Sequence, residues 1–162
     1  MIQRAQTIYL GLAFICMVLL LVFPIFSVEV SAEGASTTAV FGAYGVIGEA
    51  ESNEFPVYIV IIILALLSAA GILLYKKRPR QLLICRLNLI LHLLFTAGVY
   101  LFYYFGKAFV SNGITVEGVN AEVIFGMETG FFLMIPALAF IWLAIRGIKR
   151  DEKLVKSLDR LR

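Results

Sequence analysis

The sequence predicts an all-α membrane protein: a four-helix transmembrane bundle with a small antiparallel β cap formed by two extracytoplasmic loops. Hydrophobic residues make up 61% of the chain and charged residues only 15%, whereas a soluble domain has about a quarter charged residues. The apolar residues gather in four segments of roughly 20 residues, the length that crosses a hydrocarbon core of about 30 Å as a helix. Basic and acidic residues separate to opposite sides of these segments. We therefore expect a single integral membrane domain over residues 1–162.

The four spans are expected at residues 5–26, 57–75, 81–105 and 123–145. Helices are required because backbone amides find no water inside a bilayer. Residues Val30-Ser31-Ala32 resemble a signal-peptide cleavage site, but the preceding apolar run is longer than such peptides usually have, so we interpret the first span as a retained anchor. Pro79 interrupts the short connection after the second span, which predicts an antiparallel hairpin of spans two and three.

The charge distribution predicts the orientation. The first loop, 27–56, contains five glutamates and no basic residue, and the second loop, 106–122, has two glutamates and one lysine. By the positive-inside rule both termini face the cytoplasm. The net charge of +3 reflects this separation and predicts no nucleic-acid partner. Nine basic residues are candidate lipid or partner contacts: Lys76, Lys77, Arg78, Arg80, Lys149, Arg150, Lys153, Lys156 and Arg160.

The two outer loops carry strand signals. Residues 26–30 alternate apolar and polar, 37–41 are rich in β-branched and aromatic side chains, and 114–117 and 122–125 repeat this pattern with turn residues between them. We expect two to four short antiparallel strands that cap the outer end of the spans. A mobile loop is the alternative.

The third span contains polar residues on one helix face: Gln81, Cys85, Asn88, His92 and Thr96 are spaced by three or four. A proton or ion relay centred on His92 is one interpretation. The other, which we favour, is a packing seam of hydrogen bonds between helices. No span offers a carboxylate at the depth of His92, and a single histidine is too few for a metal site. We predict no cofactor and no catalytic residue.

Glu128 is the fourth candidate of this polar seam, together with Asn88, His92 and Thr96. It lies inside the frame Gly126-x-x-x-Gly130, whose glycines permit close helix contact. We expect Glu128 to accept a hydrogen bond from Tyr100 or Thr96 and thereby to lock spans three and four.

The tail, 146–162, continues the fourth span as a basic amphipathic helix. Leu154, Leu158 and Leu161 follow a helical spacing among lysines and arginines. This pattern fits an anionic lipid surface or a protein partner. A solvated helix end whose charges only set the orientation is the third interpretation.

Four stretches carry a family resemblance. MIQRAQTIYL at the start, FPIFS, the connection KKRPRQLLICRLN and the tail DEKLVKSLDRLR resemble domain-of-unknown-function family 4293. The resemblance covers the chain in order and implies a small four-span inner-membrane protein of Bacteroidota. It implies no activity. The order of spans and loops also resembles the layout of claudins, by analogy only.

Three functions fit the sequence to different degrees. We expect a non-enzymatic accessory or protein-interaction component of the inner membrane, in contact with the lipid bilayer and with protein partners or further copies of the chain. The alternative is a small transporter or ion pathway along the third-span stripe. An enzyme is least favoured, because no G-x-S-x-G, H-E-x-x-H or phosphate-binding loop is present. No small-molecule substrate is identified.

Overall fold

The computed structural model describes residues 2–32, 35–47, 57–113 and 122–159. It is mostly helical, with one small sheet. The elements in chain order are α1 (Ile2–Leu20), β1 (Phe26–Ala32), β2 (Ala35–Gly42), β3 (Gly45–Ile47), α2 (Val57–Leu73) followed by a 3₁₀ turn (Leu74–Lys76), α3 (Arg78–Gly113), β4 (Glu122–Met127) and α4 (Thr129–Asp159).

The four helices pack side by side, and α1 and α3 each contact both α2 and α4. Helix α1 buries Leu10, Ala13, Met17 and Leu20, which recur every three or four residues on one face. Two apolar clusters result. One lies near the sheet and includes Met17, and the other lies at the opposite end and includes Leu10. We call these ends of the helical part the sheet end and the basic end.

Three helices are long and apolar enough to cross a membrane: Val57–Lys76, Arg78–Lys107 and Thr129–Val155. The apolar stretch of α1, Ala5–Leu20, is shorter. Large apolar side chains such as Leu66, Leu83 and Leu94 are exposed on the outside of the helices. In a bilayer these outward side chains contact lipid, so their exposure is the arrangement expected of a membrane protein.

The small antiparallel sheet is confirmed. Its strand order is β3-β2-β1-β4, and β1 lies in the centre, with Phe26 opposite Phe41 on β2 and opposite Met127 on β4. The strand signals at 26–30, 37–41 and 122–125 fall within β1, β2 and β4, whereas 114–117 lie outside the described residues. After the turn at residues 43–44, β3 begins at Gly45 with φ 112°, a conformation that favours glycine.

Several predicted boundaries were wrong. The first span was expected to run to Phe26, but α1 ends at Leu20, because Pro24 restricts the residue before it and Phe26 already pairs in the sheet. The fourth span was expected from Val123, yet Glu122–Met127 forms β4 and the helix begins at Thr129. The second loop was expected from 106; the membrane-length stretch of α3 ends close to that bound, at Lys107, although the helix itself continues to Gly113.

Candidate functional site

A line of buried polar side chains runs between the helices. All its members are less than 9% exposed, and every helix contributes at least one. The members are Gln6 on α1, Ser68 on α2, Gln81, Asn88 and His92 on α3, and Asp151 on α4. Buried polar groups are costly unless they are hydrogen-bonded, so the partners of these side chains determine what the line does.

Two members of the line join α2 to α3. The Gln81 side-chain amide donates to the backbone carbonyl of Gly71 (2.9 Å), and Asn88 Nδ2 donates to Ser68 Oγ (2.8 Å). The Ser68 hydroxyl donates in turn to the Leu64 carbonyl one turn earlier. A Cβ at Gly71 would lie 3.1 Å from Cys85 Sγ, so a glycine here permits this close approach of α2 and α3.

His92 joins α3 to α4. Its Nε2 lies 3.2 Å from the backbone oxygen of Met134, so the tautomer with a proton on Nε2 donates this hydrogen bond. The other ring nitrogen, Nδ1, is buried and has no partner within the described residues. Thr96, predicted as part of the same seam, only donates to the His92 carbonyl of its own helix (2.9 Å). Asn88 and His92 therefore make the contacts between helices, and Thr96 does not.

Glu128 lies apart from this line, at the sheet end. Its Oε1 accepts a hydrogen bond from Ser27 Oγ (2.7 Å), and its backbone N–H donates to the Ile25 carbonyl. The expectation that Glu128 binds Tyr100 or Thr96 was wrong. The reason is that 122–127 form a strand paired with β1, which places Glu128 beside Ser27.

The two glycines of the G-x-x-x-G frame permit close contact with β1 and with its connection to α1. A Cβ at Gly130 would lie 2.5 Å from the Pro24 backbone oxygen, to which the Gly130 N–H donates. A Cβ at Gly126 would lie 2.8 Å from Ser27 Oγ. The predicted close contact exists, but α4 and β4 make it with this segment and not with α3.

Tyr103, not Tyr100, links α3 to the sheet. Its hydroxyl donates to the Phe125 carbonyl (3.2 Å), and its ring meets the Phe125 ring edge to face at 6.0 Å. Tyr100 is half exposed. The contact that Tyr103 makes is with Phe125, whereas the contact predicted for Tyr100 was with Glu128.

The basic end contains a polar cluster that the sequence analysis missed. Gln6 Nε2 donates to Asp151 Oδ2 at 2.5 Å, which joins α1 to α4. Asp151 is 8% exposed, and its second oxygen, Oδ1, has no partner within the described residues. Gly147 permits this contact, because a Cβ there would lie 2.9 Å from Gln6 Cγ.

A small pocket adjoins this cluster, with a volume of about 10 Å³. Its polar lining consists of Gln6, Thr7, Tyr75, Arg78, Gln81 and Asp151. Gln81 belongs both to this lining and to the line of buried polar residues. The pocket therefore lies where that line reaches the basic end.

Helical periodicity could have identified the missed residues. Asp151 continues the buried positions Ala144 and Ile148 of α4, and Gln6 precedes Leu10 by one turn on the buried face of α1. Ser68 follows Leu64 on α2 in the same way. The signal is a polar residue at the next position of an apolar helical stripe, as on the third span.

The predicted basic contact residues differ in their exposure. Arg78 is half-buried and lines the pocket, whereas most of the others are exposed. The exposed residues are Lys76, Lys77, Arg80, Lys149, Arg150 and Lys153. Lys76 lies over the Tyr75 ring at 5.7 Å. Lys156 belongs to α4, and Arg160 lies outside the described residues.

The described residues contain no group of three or more His, Cys, Asp or Glu side chains that could hold a metal ion. The chemistry that the polar line offers is hydrogen bonding: amides and a hydroxyl that join helices, an imidazole bound to a backbone oxygen, and a carboxylate with one oxygen open to a donor.

Comparison with known proteins gives the family. A sequence model described as Domain of unknown function (DUF4293) matches residues 2–161. The chain belongs to DUF4293. Apart from Met1 and Arg162, the match includes all four stretches on which the resemblance was based, so the predicted family is confirmed. A search of curated proteins found no match. The buried polar line and the pocket at the basic end are thus features of a DUF4293 protein, and the family's description assigns them no activity.

Proposed function

We propose that this DUF4293 protein is a non-enzymatic accessory or protein-interaction component of a bacterial inner membrane. The proposal rests on α4, which continues as one helix to Asp159. Beyond the basic end it exposes Leu154 (47%) and Val155 (41%) beside the exposed Lys149, Arg150 and Lys153. A helix surface that combines apolar and basic side chains fits a partner with an apolar groove and acidic rim.

The attachment of this helix favours a protein partner over the lipid surface. Asp151 is bound to Gln6, so the last turns of α4 keep the direction of the span. A helix that continues along a span points away from the membrane, whereas a lipid-bound amphipathic helix lies in the membrane plane. The residues after Asp151 therefore extend into the cytoplasm, where a second protein can bind them.

The proposal includes four spans and both termini in the cytoplasm. The supporting argument is the positive-inside rule, since Lys76, Lys77, Lys149 and Arg150 all lie at one end of the helical part. The sheet then faces the periplasm of a bacterium of the Bacteroidota, and the layout is similar to that of claudins. That similarity concerns layout and carries no function.

Photo-crosslinking in whole cells tests the partner. A photoreactive amino acid at Leu154 is expected to capture one defined protein, whereas the same group at Leu83, an exposed position on the outside of α3 (68%), should capture only lipid. The double substitution Lys149→Glu and Arg150→Glu should abolish the protein crosslink at Leu154. Equal crosslinking patterns at the two positions, or a protein crosslink that survives both charge reversals, would count against the proposal.

A second candidate, an ion or proton pathway, is favoured by one observation. Asn88 Oδ1, His92 Nδ1 and Asp151 Oδ1 are buried without a partner in the part of the chain that the structure describes. A buried unsatisfied group costs about 1–3 kcal/mol, and water or an ion would satisfy it. All three atoms belong to the polar line, which reaches the pocket at the basic end.

Proteoliposomes distinguish the pathway from a purely structural seam. If the line conducts, His92→Gln should abolish dissipation of an imposed pH gradient while the thermal midpoint in detergent changes little, because glutamine can still donate to the Met134 oxygen. If the line is structural, wild-type vesicles should leak no faster than protein-free vesicles. The control is Thr96→Ala, which removes a hydroxyl that bonds only within α3.

A further inference from the structure

Asp151, which lines the pocket at the basic end, has one carboxylate oxygen that lacks a donor among the described residues. Asp151 Oδ2 is bound to Gln6, and Oδ1 is buried without a partner in the described chain. A carboxylate oxygen that is removed from water needs a hydrogen-bond donor, and a charged donor gives the stronger bond. The side chain that carries this open position is more than nine-tenths buried and lines the pocket.

The size of the pocket limits the donor. A volume of about 10 Å³ is close to the smallest that holds one water-sized group. A primary ammonium has that size and offers three donors. A trimethylammonium group is larger and offers none, so this pocket selects against it.

The lining of the same pocket also contains a cation, which would bind an anionic group of the ligand. Arg78 begins α3, is half-buried and contributes to the lining. A guanidinium presents forked donors that match the oxygens of a phosphate. The pocket therefore complements a molecule with an ammonium group a short distance from a phosphate.

The level of the pocket identifies the source of such a molecule. Asp151 lies about 32 Å along α4 from Gly130 at 1.5 Å per residue, which matches one hydrocarbon thickness of about 30 Å. Gly130 contacts Pro24 at the sheet end. Tyr75, another lining residue, follows the apolar α2 directly, as interfacial aromatic residues do. The pocket is thus level with the lipid headgroups.

We propose that this pocket binds the headgroup of a phosphatidylethanolamine-type lipid, with the ammonium on Asp151 and the phosphate on Arg78. The inference rests on the proposed membrane placement of the basic end, but not on the proposed partner of the tail. Loss of lipid selectivity and loss of the Leu154 crosslink are separate measurements, so either proposal can fail alone.

Native mass spectrometry of the delipidated full chain in detergent tests the inference. The chain is titrated with phosphatidylethanolamine, phosphatidylcholine and phosphatidylglycerol of identical acyl chains. The ethanolamine lipid is expected to bind about tenfold more tightly than the other two, the factor that one charge-assisted hydrogen bond supplies. Equal affinity for the ethanolamine and choline lipids would overturn the proposal, as would displacement of the lipid by an equal concentration of soluble phosphoethanolamine.

Three variants assign the roles. Asp151→Asn still accepts the hydrogen bond from Gln6 but loses the charge, and should lose the preference for the ethanolamine lipid. Arg78→Gln should lower the affinity for all three lipids by the same factor. Arg150→Gln, which removes an exposed cation of the same helix, should leave the preference unchanged. If Asp151→Asn still prefers the ethanolamine lipid, the assignment is refuted. If Asp151→Asn does not fold, an unaltered affinity of Arg78→Gln for the three lipids would refute the assignment.

Discussion

The side chain of Gln6 donates a hydrogen bond to the carboxylate of Asp151, which follows 145 residues later in the chain. Both side chains are buried at the basic end. The bond joins α1 to α4, the first and last helices, and so fixes where the tail of α4 leaves the helical part. It also forms one wall of the pocket to which we assign the lipid headgroup.

Gln6→Ala should destabilise the protein by about 2–3 kcal/mol. The substitution leaves both oxygens of the buried Asp151 carboxylate without a donor, and an unsatisfied buried group of this kind carries a cost of that size. The free energy of unfolding in mixed micelles measures the effect. Ile8→Ala, an exposed position two residues later on α1, is the matched control. A loss no larger than that of the control would show that the bond contributes nothing.

Ser68 and Asn88 should be energetically coupled. A double-mutant cycle with Ser68→Ala and Asn88→Ala is expected to give a coupling energy of about 0.6–1.7 kcal/mol, the range of such bonds in membrane proteins. The cycle of Ser68 with Thr96 is the control, because the Thr96 hydroxyl bonds only within α3 and should show no coupling. Equal coupling in both cycles would contradict the hydrogen bond between α2 and α3.

Gly130→Ala should destabilise the protein by about 2 kcal/mol. The added Cβ would lie 2.5 Å from the backbone oxygen of Pro24, and a rigid backbone can relieve such overpacking only by shifting. Gly98→Ala is the matched control, since nothing lies within 4 Å of a Cβ there and alanine favours the helix by up to about 1 kcal/mol. Thermal midpoints in detergent compare the two. Similar midpoints would mean that α4 does not begin against Pro24.

Ser27 and Glu128 should be coupled through the hydrogen bond that joins β1 to the start of α4. Glu128→Ala and Ser27→Ala each remove this hydrogen bond and are each expected to lower the thermal midpoint, and the double variant should lose little beyond either one. The losses of stability from Thr96→Ala and Glu128→Ala should be additive. Additive losses in the Ser27 pair, with coupling in the Thr96 pair, would restore the contact with α3 that the sequence suggested.

The sequence predicted those features that depend on local pattern. The apolar run of α2 identifies a helix because its length and composition match a bilayer, and the alternation at 26–30 identifies β1 because side chains of a strand point to opposite faces. The stripe of Asn88 and His92 was also predicted, since residues spaced by three or four share a helix face. These inferences need no knowledge of which element packs against which.

Partner choice could not be predicted in the same way. Glu128 and Thr96 were placed at similar depths on neighbouring spans, but β4 takes the residues before Glu128 out of the helix and beside β1. Asp151 was not among the residues predicted for the polar seam. Only the packing of α1 against α4 shows that it faces Gln6, because these helices lie at opposite ends of the chain.

The sequence by itself therefore determined the membrane character, the helices, the small sheet and the face of α3 that carries the polar residues. These follow from hydrophobic length and periodicity, which act along the chain. The tertiary structure decided which polar groups meet: Ser68 with Asn88, Ser27 with Glu128, and Gln6 with Asp151. A hydrogen bond between distant residues depends on the register and approach of two elements, and that geometry exists only when the helices and the sheet have packed together.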